Sequence, residues 1–196
     1  MHNAGFEKAQ LFLLFDRASA TNSATNSATV EAKDTGSWLP TDTQLTQWLY
    51  PTLLEALPDA WREHNIEVSL SCVNNDEIRA LNLSYRNKDR STNVLSFPAD
   101  MPVVPALQAS SRNSSRGTVV LGDVVVCPEV LAVEAQEQKK TLEHHWAHML
   151  VHSVLHLLGL DHQDENAAHT MESHEIRILS KLGINNPYLT ASAKQS

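Results

Sequence analysis

Residues 66–73 alternate, with Ile66, Val68, Leu70 and Cys72 set against Glu67, Ser69 and Ser71, and a period of two predicts a strand with one buried face. Two further runs rich in β-branched residues, 93–97 and 119–127, predict more strands. Between them lies a stretch, 102–117, punctuated by Pro, Ser and Arg, which reads as one long loop. Loops of that length in compact domains often serve function. The remaining apolar periodicity is helical. Thr41 is a candidate cap for a helix carrying Leu45, Trp48 and Leu49, interrupted or restarted near Pro51 and continuing toward Trp61. Asp76 opens a short helix through Leu83, Pro128 suits the first turn of a helix to about Gln138, and Thr141 suits the cap of the next. A last helix, from about Glu165 to Leu182, shows Ala168, Met171, Ile178, Leu179 and Leu182 on one face. The expected fold class is α/β (α+β), a small mixed β-sheet covered by helices.

Composition sets the limits of this picture. With 196 residues, 42% of them hydrophobic, the chain can bury one proper core. That core belongs to a domain over residues 38–190. Ahead of it, residues 1–37 combine an N-terminal strand with a low-complexity disordered insertion, because the repeated Ala-Thr-Asn-Ser at 20–29 lacks apolar groups to offset ordering entropy. Residues 191–196 read as a disordered tail. The apolar stretch from Leu11 to Phe15 is far too short for a signal-peptide core or a membrane span. Only two cysteines occur, Cys72 and Cys127, without disulfide-like or C-x-x-C spacing, which suits a reducing cytosol and a cytoplasmic protein. The net charge of −8 argues against coating nucleic acid or anionic membrane by bulk electrostatics, so such a partner must meet a local positive patch.

Candidate chemistry concentrates in His152-Ser-Val-Leu-His156-Leu-Leu-Gly159-Leu-Asp161-His162. Helical residues four apart differ by only about 40° in direction, so His152 and His156 can converge on one ion. His162, about 240° further round from His156 on a continuing helix, would point away. Gly159 removes that problem, since glycine ends helices in the left-handed conformation and lets the chain reverse. Three imidazoles leave a fourth position for water, the mark of a catalytic rather than a closed structural zinc site. Histidines also recur at 144, 148, 152 and 156, but only the later pair has Gly159 and His162 downstream. His144, His145 and His148 read as solvent-facing or satisfied in the core, with His148 able to reach the same cleft. His169 and His174 read as part of a solvated face. Asp161 either orients an imidazole from behind or is a turn residue.

In H-E-x-x-H metallopeptidases the residue after the first histidine is a glutamate base, whereas here it is Ser153, which disfavours peptide hydrolysis by that route. The stretch from His152 to His162 resembles instead the H-G-x-L-H-x-x-G-x-D-H signature of the YbeY endoribonuclease family. Asn82-Leu-Ser-Tyr85-Arg86-Asn-Lys88-Asp89, followed by Thr92-Asn93-Val-Leu-Ser-Phe97-Pro98, is similar to that family's basic segment, and Leu121-Gly122-Asp123-Val-Val-Val-Cys127 to its central strand. The similarity spans about residues 45–188, and the departure is Ser153 where glycine is usual.

The resemblance implies a zinc-dependent, single-strand-specific endoribonuclease that matures ribosomal RNA, notably the 3′ end of 16S RNA, and serves ribosome quality control. One Zn²⁺ would be held by His152, His156 and His162, with zinc-bound water and Arg86 as the catalytic elements. A guanidinium matches phosphate geometry and stays charged. Lys88, Arg90, Arg112 and Arg116 are candidates for contact with the RNA backbone. Implied partners are ribosomal RNA, the small ribosomal subunit and ribosome-associated proteins, with neither membrane nor DNA. Two other readings compete: an unusual metallopeptidase, and a ribosome-assembly or RNA-binding factor whose metal is mainly structural.

Overall fold

In chain order the elements are β1 (Leu11–Asp16), α1 (Asp42–Ala56), β2 (Asn65–Cys72), α2 (Asn75–Arg86), β3 (Val94–Pro98), β4 (Val103–Val104), β5 (Thr118–Val126), α3 (Pro128–Glu137), α4 (Leu142–Leu157) and α5 (Glu165–Lys181). The computed structural model describes residues 11–16, 38–100, 103–104, 117–162 and 164–189. The predicted insertion at 20–29, most of the predicted loop at 102–117 with Arg112 and Arg116, and the tail at 191–196 lie outside the described residues.

β2 keeps the alternation of its sequence: Ile66, Val68, Leu70 and Cys72 are buried and Glu67, Ser69 and Ser71 are half-buried. It pairs in parallel with β1 on one side and with β5 on the other, and β3 runs antiparallel along the far side of β5, giving the order β1-β2-β5-β3. The sheet is therefore mixed, as expected. Val103 and Val104, within the stretch predicted as loop, instead form β4 opposite Val119 and Thr118. β5 extends past the end of β3, and two β-branched residues can occupy the ladder positions left over.

At Gly122 the β2–β5 register slips by one residue between Glu67 and Val68. The glycine has φ +131°, and a Cβ there would lie 2.1 Å from the carbonyl oxygen of Phe97. Only glycine fits this bulge, which lets the Leu121 carbonyl accept the Ala99 N–H at 3.0 Å.

One face of the sheet carries the main core. Leu45, Trp48, Leu49 and Leu53 of α1 and Trp146, Leu150, Val154 and Leu157 of α4 cluster with Ile66, Val68, Leu70, Leu121, Val124 and Val126. On the other face Ile78 of α2 packs with Leu95 and Cys127, flanked by Phe97 and Val125. α5 completes the first side, with Met171, Ile178 and Leu179 against Val151 and Leu155 of α4. α4 is thus enclosed by the sheet and by α1, α3 and α5, which explains why most of its residues are buried.

α1 runs unbroken through Pro51, where an interruption was expected, and stops at Ala56 rather than near Trp61. Proline there removes a donor to the Gln47 carbonyl, but Gln47 lies on the exposed face where water can take that bond, and buried Leu49, Thr52 and Leu53 hold both sides in line. Pro58 disfavours helix at Leu57, and residues 59–61 form a separate 3₁₀ turn.

Near the end of α1, Glu55 receives Lys181 (2.6 Å) and Arg177 (2.9 Å) from α5. The Lys181 hydrogen bond lowers the Glu55 pKa against the opposing effect of burial. A lowered carboxylate pKa gives stability that is complete above the unfolded value and lost as pH falls through the folded one. Glu55→Gln is therefore expected to cost about 1 kcal/mol at pH 7 and nothing once Glu55 is protonated, read from denaturant melts across pH.

Candidate metal centre

Thr141 caps α4, accepting the His144 N–H at 3.2 Å, and the helix carries His152 and His156 one turn apart near its C-terminus. The helix then closes as the sequence requires. Gly159 has φ +88°, its N–H donates to the His156 carbonyl and the Leu160 N–H donates to the Leu155 carbonyl, both at 3.0 Å. That paired bonding is the Schellman reversal, and it returns the chain so that His162 faces the helical pair. Ring centroids are 4.6 Å apart for His152 and His156, 4.9 Å for His156 and His162, and 5.8 Å for His152 and His162. One nitrogen from each ring lies within 4.8 Å of the other two, close enough to share an ion, and no other residue joins this group among the described residues.

The electrostatics favour the ligand form of the His156 ring. Burial first, then the neighbouring His152 and His162, pull the His156 pKa down to about 4, so its imidazole is neutral at pH 7. Asp161 is placed for both of its expected roles. Its Oδ1 accepts the His162 backbone N–H at 2.7 Å, as a turn residue does, and also lies 3.9 Å from His156 Nδ1 and 3.7 Å from His162 Nδ1.

Sequence reasoning missed the group behind His152. Glu175 of α5 is fully buried; its Oε1 lies 2.8 Å from His152 Nδ1 and its Oε2 lies 2.8 Å from His148 Nε2 and accepts the Tyr188 hydroxyl. Burial alone would raise the pKa of this carboxyl, but hydrogen bonds from His148, His152 and Tyr188 outweigh it and hold the pKa at about 2. A carboxylate bonded to Nδ1–H leaves the Nε2 lone pair of His152 for an ion. The signal was present in the chain: position 175 falls inside the apolar stripe of α5, between Met171 and Ile178, where a carboxylate needs partners. His145 is likewise buried and paired, 2.8 Å from Glu134, whereas His144 and His169 are exposed.

Arg86 is the last residue of α2, not part of a loop beyond Leu83, because Asn87 adopts the left-handed conformation (φ 59°) that closes the helix. The following turn is fastened twice: Asn82 Nδ2 donates to the Arg90 carbonyl at 2.7 Å, and Arg79 pairs with Asp89 at 2.7 and 3.1 Å. Arg79 so takes the nearby anion, and the side chains of Arg86, Lys88 and Arg90 pair with no described residue. Beside them Tyr85 is 68% exposed, its ring edge-on to Phe97 at 4.9 Å. α2 and the histidine helix lie on opposite faces of the sheet and share the edge strand β3.

Ser153, in the position of the peptidase base, is fully buried, with Oγ donating to the Met149 carbonyl at 2.8 Å. It contributes nothing to the cradle. No helix among the described residues is long and apolar enough to cross a membrane.

Fold and site together define an α/β protein in which a helix and the chain returning from it bring three imidazoles together. The chain belongs to the endoribonuclease YbeY family, whose model matches residues 31–183. A Cellvibrio japonicus endoribonuclease YbeY is 43% identical over 166 residues, covering 83% of each chain, and one from Colwellia psychrerythraea is 44% identical over 151 residues, 77% of this chain and 89% of its own. An Acinetobacter baumannii relative of the same name is 50% identical over 129 residues, 64% of this chain and 76% of its own. A solution structure of a Thermotoga maritima protein aligns with 95% of this chain and 100% of that one, at 19% identity and a TM-score of 0.46.

Proposed function

We propose that this chain is a zinc-dependent endoribonuclease that cuts single-stranded RNA during ribosomal RNA maturation. In this reading it acts in the cytoplasm at the 3′ end of 16S RNA and in ribosome quality control, with the small ribosomal subunit and its associated proteins as partners. The observation that carries the reading is the convergence of His152, His156 and His162 in a chain of the YbeY family.

The donor set fits zinc: three imidazole nitrogens, that of His156 held neutral, with no fourth protein ligand among the described residues. Zinc bound there would supply Lewis acidity and lower the pKa of a water at its open position toward about 7. The chain's own residues supply the rest. Glu175 fixes the His152 ring, and the neutral His156 stays available as a donor. Arg86 clamps the scissile phosphate and stabilises charge that develops on it, while Lys88 and Arg90 hold neighbouring phosphates. The exposed face of Tyr85 offers an unpaired base a stacking surface, which a duplex cannot use. This local cationic strip answers the overall charge of −8.

The test compares zinc-loaded and chelator-treated protein on a small-subunit ribosomal RNA fragment, single-stranded and annealed to its complement. Cleavage of the single strand by the loaded protein alone is expected. Cleavage that survives complete removal of metal would exclude the reading.

A further inference from the structure

The span matched by the family model ends at residue 183, yet the chain returns to the metal centre after it. The Tyr188 hydroxyl donates to Glu175 Oε2, the oxygen that also takes His148 Nε2, while Oε1 takes His152 Nδ1. The Tyr188 ring stands edge-on to His148, with centroids 5.7 Å apart. The segment is pinned at a second point, where Lys140 Nζ donates to the Pro187 carbonyl at 3.2 Å. Nothing in the cleavage chemistry uses this tyrosine, and it is not among the three residues that converge: its hydroxyl meets Glu175 and its ring meets His148.

We propose that Tyr188 is a positioning residue for the metal centre, acting through Glu175 on the ring of His152. A carboxylate with a single donor can swing about its terminal torsion, which is soft. Three donors on two oxygens fix its plane, and with it the direction of the Nδ1–H it accepts. The His152 ring is held by that bond, so the orientation of its far nitrogen follows from where the Tyr188 hydroxyl sits. Without the hydroxyl, Oε2 retains His148 and Oε1 retains His152, so Glu175 keeps two anchors but loses the third and can tilt toward those that remain. The C-terminal segment thereby becomes part of what sets metal affinity, although it supplies no ligand.

This inference rests on the metal reading proposed above. Groups hydrogen-bonded directly to a ligand typically alter metal affinity about 10- to 100-fold, so one acting a step further out is expected to alter it about three- to tenfold. The full-length chain is stripped of metal, and zinc affinity is measured by competition with a chromogenic chelator for wild type, Tyr188→Phe and Glu175→Gln. Cobalt is then substituted and its visible ligand-field spectrum recorded. Tyr188→Phe keeps the ring against His148 and removes only the hydroxyl. The expected result is a zinc Kd raised about three- to tenfold and a shifted cobalt spectrum, with the metal-free melting temperature almost unchanged, and a larger loss of affinity for Glu175→Gln. A wild-type Kd and spectrum in Tyr188→Phe would overturn the inference, as would an affinity loss matched by loss of metal-free stability, which marks a merely structural contact. A wild-type chain that binds no zinc would overturn the metal reading itself and this inference with it.

Discussion

On the proposed zinc reading, replacing His156 with alanine is expected to leave a folded chain that no longer retains zinc and no longer cleaves RNA. His156 is the central member of the cradle, its ring 4.6 Å from that of His152 and 4.9 Å from that of His162, while the outer two are 5.8 Å apart. Losing it leaves one donor on the helix and one on the returning chain. Changes behind a ligand typically cost about 10- to 100-fold in affinity, so removal of a ligand is expected to cost more than about 100-fold. The fold should tolerate the change, because the ring is only half-buried and sits in the last turn of α4. A stability loss of about 1–2 kcal/mol is expected in the metal-free protein. Elemental analysis after dialysis, with circular dichroism on the same sample, checks both halves. Stoichiometric zinc in folded His156→Ala would remove His156 from the ligand set.

What the chain revealed in advance, and what it hid, follows from the range over which each signal acts. The strand at 65–72 was legible because burial on one face imposes a period of two on consecutive residues. The return of His162 was legible because a glycine three residues after His156 permits one specific helix ending. Pro51 misled because local propensity argues for a break, whereas the decision came from Leu49 and Leu53 packing into a core built by distant residues. Val103 and Val104 were hidden in the same way, since only the spare length of β5 makes them a strand. Glu175 was half legible. Its place in an apolar stripe demanded partners, but the partners, at 148, 152 and 188, lie on two other segments and no spacing rule connects them. The cationic strip is the reverse case: its residues were visible, while the pairing of Arg79 with Asp89, which leaves the others without counter-ions, was not.

On the proposed function, Arg86→Ala is expected to lower single-strand cleavage about 10²- to 10³-fold with zinc content unchanged, the scale of losing one preorganised group that stabilises transition-state charge. Geometry fixes the backbone that carries Arg86. It ends α2, where the helix dipole favours a cation, and the turn after it is tied down by Asn82 and by the Arg79–Asp89 pair. The backbone beneath Arg86 therefore has little entropy left to lose when a phosphate arrives, whereas that of a loose loop would lose more. Arg86→Lys keeps the charge without the planar fork and should recover only part of the rate. Lys88→Ala should act differently, weakening binding without a specific loss of the chemical step and making the logarithm of affinity depend less steeply on salt, by a slope change of about 0.7. Single-turnover cleavage separates these effects, because chemistry and binding are read independently. If Arg86→Ala cleaves at the wild-type rate under saturating protein, the guanidinium does not hold the reacting phosphate and the cation that does must be sought elsewhere along the strip, while the histidine cradle stands untouched by that result.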